Sequence, residues 1–413
     1  MPDSLESFVR DFPVTTKHEL VEDQRKHPPT GSNLTEAETA YTRFSQTSGT
    51  TARPLAVWDT ASSWDWLLEN WVRGFRYAGV QPGMRVLFAF SFGPFLGFWT
   101  AFDAAVHMGL RCLPGGGLGT VARLQVLVEQ QIEVLCCTPT YALHLAATAL
   151  AEGIDLSNTA LRKILVAGEP GGSLSGFRQQ IQSAWPQAEL LDHYGLTEVG
   201  PVAFARSGAS GGLHVLEDRY LAEVLHPETL RPVDWGQCGE LVLTPLGRSA
   251  WPLFRYRTGD LVRASACFPG GDDASDGEVG MVLDGGVLGR VDDMVIVRGV
   301  NLYPAAVEDV VRSTLGPVEY RVLLSGGTGL LQVEVEIEGA PAPESTRQPD
   351  PVVAFSCATP ADPMVRAQEA SSTATSKLQS AFERSFALRI PVREVAHGSL
   401  PRFELKAKRW VRL

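Results

Sequence analysis

From residue 85 onward, short apolar runs alternate with longer segments of helical period. Arg85–Phe90 reads as a strand, Phe95–Met108 as an apolar helix, and Leu110–Pro114 as a short strand running into Gly115–Gly117. Val121–Gln131 and the alanine-rich Tyr141–Glu152 read as helices, Ile132–Cys137 and Lys163–Ala167 as strands. This alternation predicts buried parallel strands covered by helices, with ligands at the carboxyl ends of the strands. After Val233 the texture turns to β, with strands at Glu240–Thr244 and Gly280–Asp284 around a Gly/Asp-rich loop at 268–278. Beyond Asp292 a smaller β-α-β-β-α-β pattern follows. It comprises a strand at 294–298, a helix opened by Pro304 with Val307, Val310, Val311 and Leu315 on one face, strands at 320–324 and 331–337, a helix at 372–388 and a strand at 391–395. Residues 339–363 hold six prolines and read as a mobile insertion. Residues 1–40 are polar and read as a packed N-terminal arm. The fold class expected is α/β. A large N-terminal domain (1–292) would combine helix-flanked, mostly parallel sheets with a small β-rich subdomain, and a small α+β C-terminal domain would span 293–413.

The composition suits a two-domain α/β chain: 413 residues, 44% hydrophobic, 20% charged, with 40 glycines and 27 prolines. No run of eighteen apolar residues occurs, and Asp3 and Glu6 stand where a basic leader would begin, so neither a membrane partner nor a secretory signal is expected, and the expected location is the cytoplasm. Residues 293–413 carry 14 basic and 14 acidic side chains, so the whole net charge of −11 lies in residues 1–292. An acidic body argues against a nucleic-acid partner. The terminus is the exception: Arg402, Lys406, Lys408, Arg409 and Arg412 face only Glu404, which suits an anionic ligand or a solvated tail. Six cysteines without C-x-x-C spacing read as core thiols rather than a zinc site.

Candidate chemistry begins at Gln46–Pro54, where Thr47, Ser48, Gly49, Thr50 and Thr51 precede Ala52 and Arg53. Hydroxyls, free main-chain N–H groups and a cation can wrap a polyphosphate, although an ordinary solvated loop has the same composition. Downstream come Asp192–His193–Tyr194–Gly195–Leu196–Thr197–Glu198, then Arg255–Tyr256–Arg257–Thr258–Gly259–Asp260, Gly289–Arg290–Val291–Asp292–Asp293, and Pro401–Arg402–Phe403–Glu404–Leu405–Lys406. In this order the motifs resemble the adenylate-forming enzyme superfamily. Ala167–Gly168–Glu169–Pro170, Gly212–Leu213–His214 and Glu217–Asp218 resemble its phenylacetate–CoA ligase branch. The resemblance covers roughly residues 40–413.

The resemblance implies an ATP-dependent ligase that converts a small aromatic acid to an acyl-adenylate, releases pyrophosphate and forms a thioester with coenzyme A. The phosphopantetheine thiol of a separate carrier protein is the alternative acceptor, and a nucleotide-binding protein without turnover is a further reading. Thr47–Thr51 and Arg53 would hold the β- and γ-phosphates; Ala52 and Arg53 depart from the family's usual glycine and lysine. Glu198 would hold Mg2+, Thr197 would donate to the α-phosphate, and Tyr194 would stack on adenine, with Asp192, Gly195, Gly168, Glu169 and Pro170 around the nucleotide. Asp260 would accept from both ribose hydroxyls; Arg257 and Arg255 are candidate ligand contacts or structural ion pairs. Lys406 would be the catalytic lysine, with Lys408 as its competitor, on a lid hinged at Asp292; Gly299 and its neighbours would serve thiol attack. For the acid, Phe95, Trp99, Gly115, Gly116, Tyr141 and His193 are the candidates, together with Phe92, as an apolar slot for a flat ring or as ordinary core.

Overall fold

The computed structural model describes residues 4–47, 54–209, 212–267, 280–293, 295–297, 300–316, 318–325, 332–339, 363–401 and 409–413. The chain divides into two compact units, residues 1–292 and 293–413.

In chain order the first unit contains α1 (Leu5–Asp11), α2 (Lys17–Lys26), β1 (Tyr41–Gln46), β2 (Ala56–Thr60), α3 (Ala61–Tyr77), β3 (Arg85–Phe88), α4 (Leu96–His107), β4 (Arg111–Pro114), α5 (Thr120–Glu129), β5 (Val134–Cys137), α6 (Pro139–Ala151), β6 (Lys163–Val166), α7 (Ser175–Ala184), β7 (Glu189–Leu196), β8 (Gly200–Phe204), β9 (Leu213–Val215), β10 (Tyr220–Leu225), β11 (Cys238–Pro245), β12 (Tyr256–Cys267) and β13 (Gly280–Arg290). Eleven of these strands form one sheet in the order β10-β11-β12-β13-β9-β8-β7-β6-β5-β3-β4. Strands β3 to β7 pair in parallel, and from β7 onward the pairing is antiparallel. The parallel part and the β-rich part, separate in the sequence reading, are therefore continuous through β7. That strand carries Asp192–Leu196, so the nucleotide motif sits where the sheet changes sense.

The chain leaves β3 toward β4 on one side and places β5 on the other. The ends of β3 and β5 thus flank the crevice where doubly wound sheets bind ligands. Behind the sheet runs α3. Thr60 caps it by accepting from Ser63 N, and Trp64, Leu67, Trp71 and Phe75 recur on its buried face. Gly74 is required there: a Cβ would lie 2.1 Å from the Phe204 ring. The N-terminal arm is strapped to β12 by Thr15 N to Arg255 O (3.0 Å) and Arg257 N to Thr15 O (2.8 Å). The Gln24 amide exchanges two hydrogen bonds with Ala56 of β2. A Thr16–Glu19 capping box then starts α2 directly beyond the strap.

The second unit comprises β14 (Val295–Val297), β15 (Val300–Leu302), α8 (Pro304–Leu315), β16 (Tyr320–Ser325), β17 (Gln332–Glu338), α9 (Pro363–Phe386), β18 (Val392–Val395) and β19 (Trp410–Arg412). Its main sheet has the order β18-β17-β16-β19. Val307, Val310 and Val311 of α8 and Leu378 and Phe382 of α9 close its core over Val322, Val335 and Ile337. The helix expected from Ser372 begins at Pro363. The loop expected at 268–278 and nearly all of the expected insertion lie outside the described residues.

Candidate active site

Two motifs far apart in sequence meet through a reciprocal exchange. Tyr194 Oη, from β7, donates to Asp260 Oδ2 on β12 at 2.7 Å. Tyr256 Oη, from β12, donates to Glu198 Oε1 just beyond β7 at 3.1 Å. Both carboxylates are buried, Glu198 3% and Asp260 5% exposed. Burial and the adjacent carboxylates push both tyrosine hydroxyls far above their ordinary range, so they remain protonated donors. Burial likewise raises the Asp260 carboxyl, while Arg290 opposes it through a 3.0 Å contact from Nη1 to Oδ1. Gly259, at φ +73°, makes room for that arginine: a Cβ would lie 2.6 Å from Arg290 Nη2. A carboxylate offers about four acceptor positions. Tyr194 and Arg290 use one on each oxygen of Asp260, so both oxygens can still accept from a diol.

Glu198 also faces a cation that the sequence reading missed. The Lys17 ammonium, from the first turn of α2, stands 3.1 Å from Glu198 Oε1. Nothing local marks this lysine in a polar arm; the strap of Thr15 onto β12 aims it. The donor set fits magnesium carried on phosphates. It is one buried carboxylate beside a hydroxyl, with no group of three His, Cys, Asp or Glu forming a cage among the described residues, and Mg2+ takes one or two carboxylates with phosphate oxygens and water.

Of the phosphate-loop candidates, Ser48, Gly49, Thr50, Thr51 and Arg53 lie outside the described residues. Thr47 is buried, and its hydroxyl accepts from Leu55 N at 3.0 Å while its own N–H donates to Leu55 O. It clamps the base of the segment. The Thr197 side chain is half-buried. Asp192 accepts from Ser173 Oγ at 2.5 Å and from His193 N at 2.9 Å, and burial pushes its carboxyl up to about 6. Gly168, at φ +91°, and Pro170 are exposed, and Glu169 turns back onto the start of α6, accepting from Thr140 N and Oγ1. Gly195 is set by strand packing: a Cβ would lie 2.7 Å from Gly200 O on β8. Arg257, a candidate ligand contact or structural ion pair, forms an ion pair here. Its fork goes to Glu240 (2.9 and 2.5 Å) and the Pro227 carbonyl. Arg255 is likewise held by buried Glu223 and the Phe12 carbonyl. Both strands' carboxylates needed a partner, and the arginines provide it.

Most acid-site candidates do gather around the β3–β5 crevice. Phe90 stacks on Phe98 (4.1 Å between centroids), Phe95 meets Phe98 (5.9 Å), and Phe92 meets Trp99 (4.9 Å). Trp99 is 38% exposed and donates to Gly93 O. Gly116 lies against Phe92, and Gly115 packs onto the Phe88 carbonyl. Arg123, another residue without a sequence signal, donates to Gly115 O at 2.9 Å and lies over the Tyr141 ring at 5.1 Å.

His193 is the exception. Its ring packs between Trp71 (4.3 Å) and Phe204 (4.5 Å) in the core behind the sheet, with both nitrogens buried and without a hydrogen-bond partner among the described residues. Burial pushes its pKa down to about 3. The unfolded imidazole protonates near pH 6.5, so between about 6.5 and 3 the unfolded chain binds more protons and stability falls as pH falls. His214, pushed down to about 4, acts in the same direction. Asp192 acts oppositely, because its folded carboxyl retains a proton up to about pH 6. His193→Phe is expected to reduce the stability loss between pH 7 and pH 5 by about 2 kcal/mol. Urea unfolding at the two pH values measures it, and an unchanged loss contradicts the assignment.

In the first unit, Asp292, the hinge candidate, is the last residue, and it accepts from Arg290 Nε at 3.0 Å. In the second, Gly299, Lys406 and Lys408 lie outside the described residues. The chain is anchored on both sides of 402–408. Leu400 is buried and its N–H donates to Glu338. Arg409 pairs with Glu319 (3.2 Å) and Glu308 (3.7 Å).

The profile of the AMP-binding enzyme family matches residues 5–245, and that of the AMP-binding enzyme C-terminal domain matches residues 299–412. The chain belongs to the AMP-binding enzyme family. Within it, the chain falls in the phenylacetate–CoA ligase-like branch. It is 32% identical over 339 residues to a phenylacetate-coenzyme A ligase of Thermus thermophilus, covering 81% of this chain and 72% of that ligase. To the phenylacetate-coenzyme A ligase of Escherichia coli K12 it is 32% identical over 342 residues, covering 80% and 74%. Among solved structures, a 2-hydroxyisobutyryl-CoA ligase in the postadenylation state, in complex with R3-HIB-AMP, matches with a TM-score of 0.83 at 25% identity, over 99% of this chain and 81% of that one. No helix among the described residues is long and apolar enough to cross a membrane.

Proposed function

We propose that this family member is an ATP- and Mg2+-dependent aromatic acid–coenzyme A ligase. The observation that carries the reading is the pair of buried carboxylates, Glu198 and Asp260, each held by the other motif's tyrosine. In the first step a carboxylate oxygen of the acid attacks the α-phosphorus of ATP. An oxygen–phosphorus bond forms, the bond to the β-phosphate bridging oxygen breaks, and pyrophosphate leaves. In the second, the coenzyme A sulfur attacks the acyl carbon, its thiol proton is released, and AMP departs.

Glu198, with the Tyr256 hydroxyl orienting it, would hold Mg2+, which when bound neutralises phosphate charge. Asp260 receives the ribose hydroxyls, its carboxylate held in place by Tyr194 and Arg290. Lys17, 3.1 Å from Glu198, adds a cation that would offset phosphate charge. Thr197 is assigned the α-phosphate. Lys406 is assigned the catalytic ammonium. The aromatic group formed by Phe90, Phe92, Phe95, Phe98 and Trp99 at the β3–β5 crevice supports a flat apolar acid. The names of the relatives support phenylacetate and coenzyme A over a carrier thiol.

The test is product formation. The chain, ATP, Mg2+ and an acid from a panel of benzoates, phenylacetates, cinnamates and short fatty acids are incubated with coenzyme A or with a phosphopantetheinylated carrier protein. An aryl-CoA mass and stoichiometric AMP are expected. Acylation of the carrier alone overturns the acceptor; thioester from fatty acids alone overturns the substrate class.

A further inference from the structure

We propose that the buried Asp59–Arg248 ion pair positions the metal-binding turn, an inference that rests on the reading of Glu198 as the magnesium carboxylate. Arg248, between β11 and β12, is 1% exposed, and Asp59, in β2, is fully buried. Arg248 Nε donates to Asp59 Oδ1 at 2.7 Å and Nη2 to Oδ2 at 2.5 Å, a two-bond fork. The outer nitrogen, Nη1, donates to the carbonyl oxygens of both Thr197 and Glu198, each at 2.9 Å. The guanidinium also lies 5.7 Å from the Trp251 ring centroid.

One planar group therefore ties β2, the strand that follows residues 48–53, to two consecutive carbonyls of the turn that bears the carboxylate. With those carbonyls held, the main chain of Glu198 cannot pivot; Tyr256 and Lys17 then hold its side chain. A buried ion pair is weak evidence for stability, because desolvation offsets much of its attraction, and apolar replacements of similar volume are often neutral or stabilising. Orientation of a ligand-bearing turn explains the pair better. Partners behind metal ligands act this way, and losing them costs about 10–100-fold in metal affinity. Arginine is needed because lysine carries the charge without the fork.

Two variants test this. Arg248→Lys keeps the charge. The double variant Asp59→Leu with Arg248→Met removes the donors and leaves no unpaired buried charge, so it reports even if the single variant fails to fold. ATP affinity is measured by calorimetry with and without Mg2+, alongside thermal melting. Metal-free ATP affinity is expected to be unchanged, while the strengthening by Mg2+ shrinks about 10–100-fold; the melting curves establish that each variant is folded at the temperature of the titration. A folded variant of either kind that keeps the full Mg2+ increment overturns the proposal, as does a parent chain whose ATP affinity ignores Mg2+. Failure of the ligase reading shows separately, as absence of acid-dependent turnover in a parent chain that still binds ATP more tightly with Mg2+.

Discussion

Glu198→Gln is expected to lower adenylation by about 10²–10³-fold, or about 3–4 kcal/mol of barrier, while leaving the fold intact. Glutamine keeps the shape and can still accept from the Tyr256 hydroxyl at its 3.1 Å position. What it loses is the negative charge that faces Lys17 in the free chain and that Mg2+ requires beside phosphate oxygens. Removing a charge from a 3%-exposed side chain also removes its desolvation cost, so thermal melting should shift little. The checks are Mg2+ titration of the acid-dependent reaction and a melting curve. Full activity in a folded Glu198→Gln variant would move the metal to another residue.

Lys406→Ala is expected to suppress adenylate formation by orders of magnitude with ATP binding nearly intact. Coulombic stabilisation of charge that develops only during the reaction accelerates the step without tightening ground-state binding. Anchored Leu400 and Arg409 bound the segment 402–408 on both sides. Lys406, not Lys408, occupies the lysine position of the Pro401–Arg402–Phe403–Glu404–Leu405–Lys406 motif. Lys408→Ala should therefore retain adenylation. Single-turnover acyl-adenylate formation and ATP calorimetry on both variants decide the matter; unchanged adenylation in Lys406→Ala with loss in Lys408→Ala would exchange the roles.

The parallel half of the sheet was legible because β3, β5 and β6 are short unbroken apolar runs, buried on both faces, between helices of clear period. Strands β7 and β12 were not, because their inward positions are the chemistry itself: Asp192 and Tyr194 on one, Thr258 and Asp260 on the other. Buried polar residues break the alternation that reveals a strand. The motifs named the kinds of group at the site but not their partners. Tyr194 and Asp260 are 66 residues apart, and Tyr256 and Glu198 are 58 apart, separations that no local pattern encodes. Lys17 and Arg248 reach the same turn through tertiary packing, which explains why an arm lysine and a loop arginine carried no signal. Arg257 illustrates the converse. Its motif neighbours left a ligand contact and an ion pair equally open, and only the sheet reveals the partner, buried Glu240.

The most direct test of the central claim is acid-dependent exchange of labelled pyrophosphate into ATP by the unmodified chain with Mg2+. Exchange driven by an aromatic acid, in the absence of coenzyme A, is the predicted result, because the acyl-adenylate forms reversibly before any thiol enters. No exchange with any acid of the panel, from a chain that binds ATP, would contradict it.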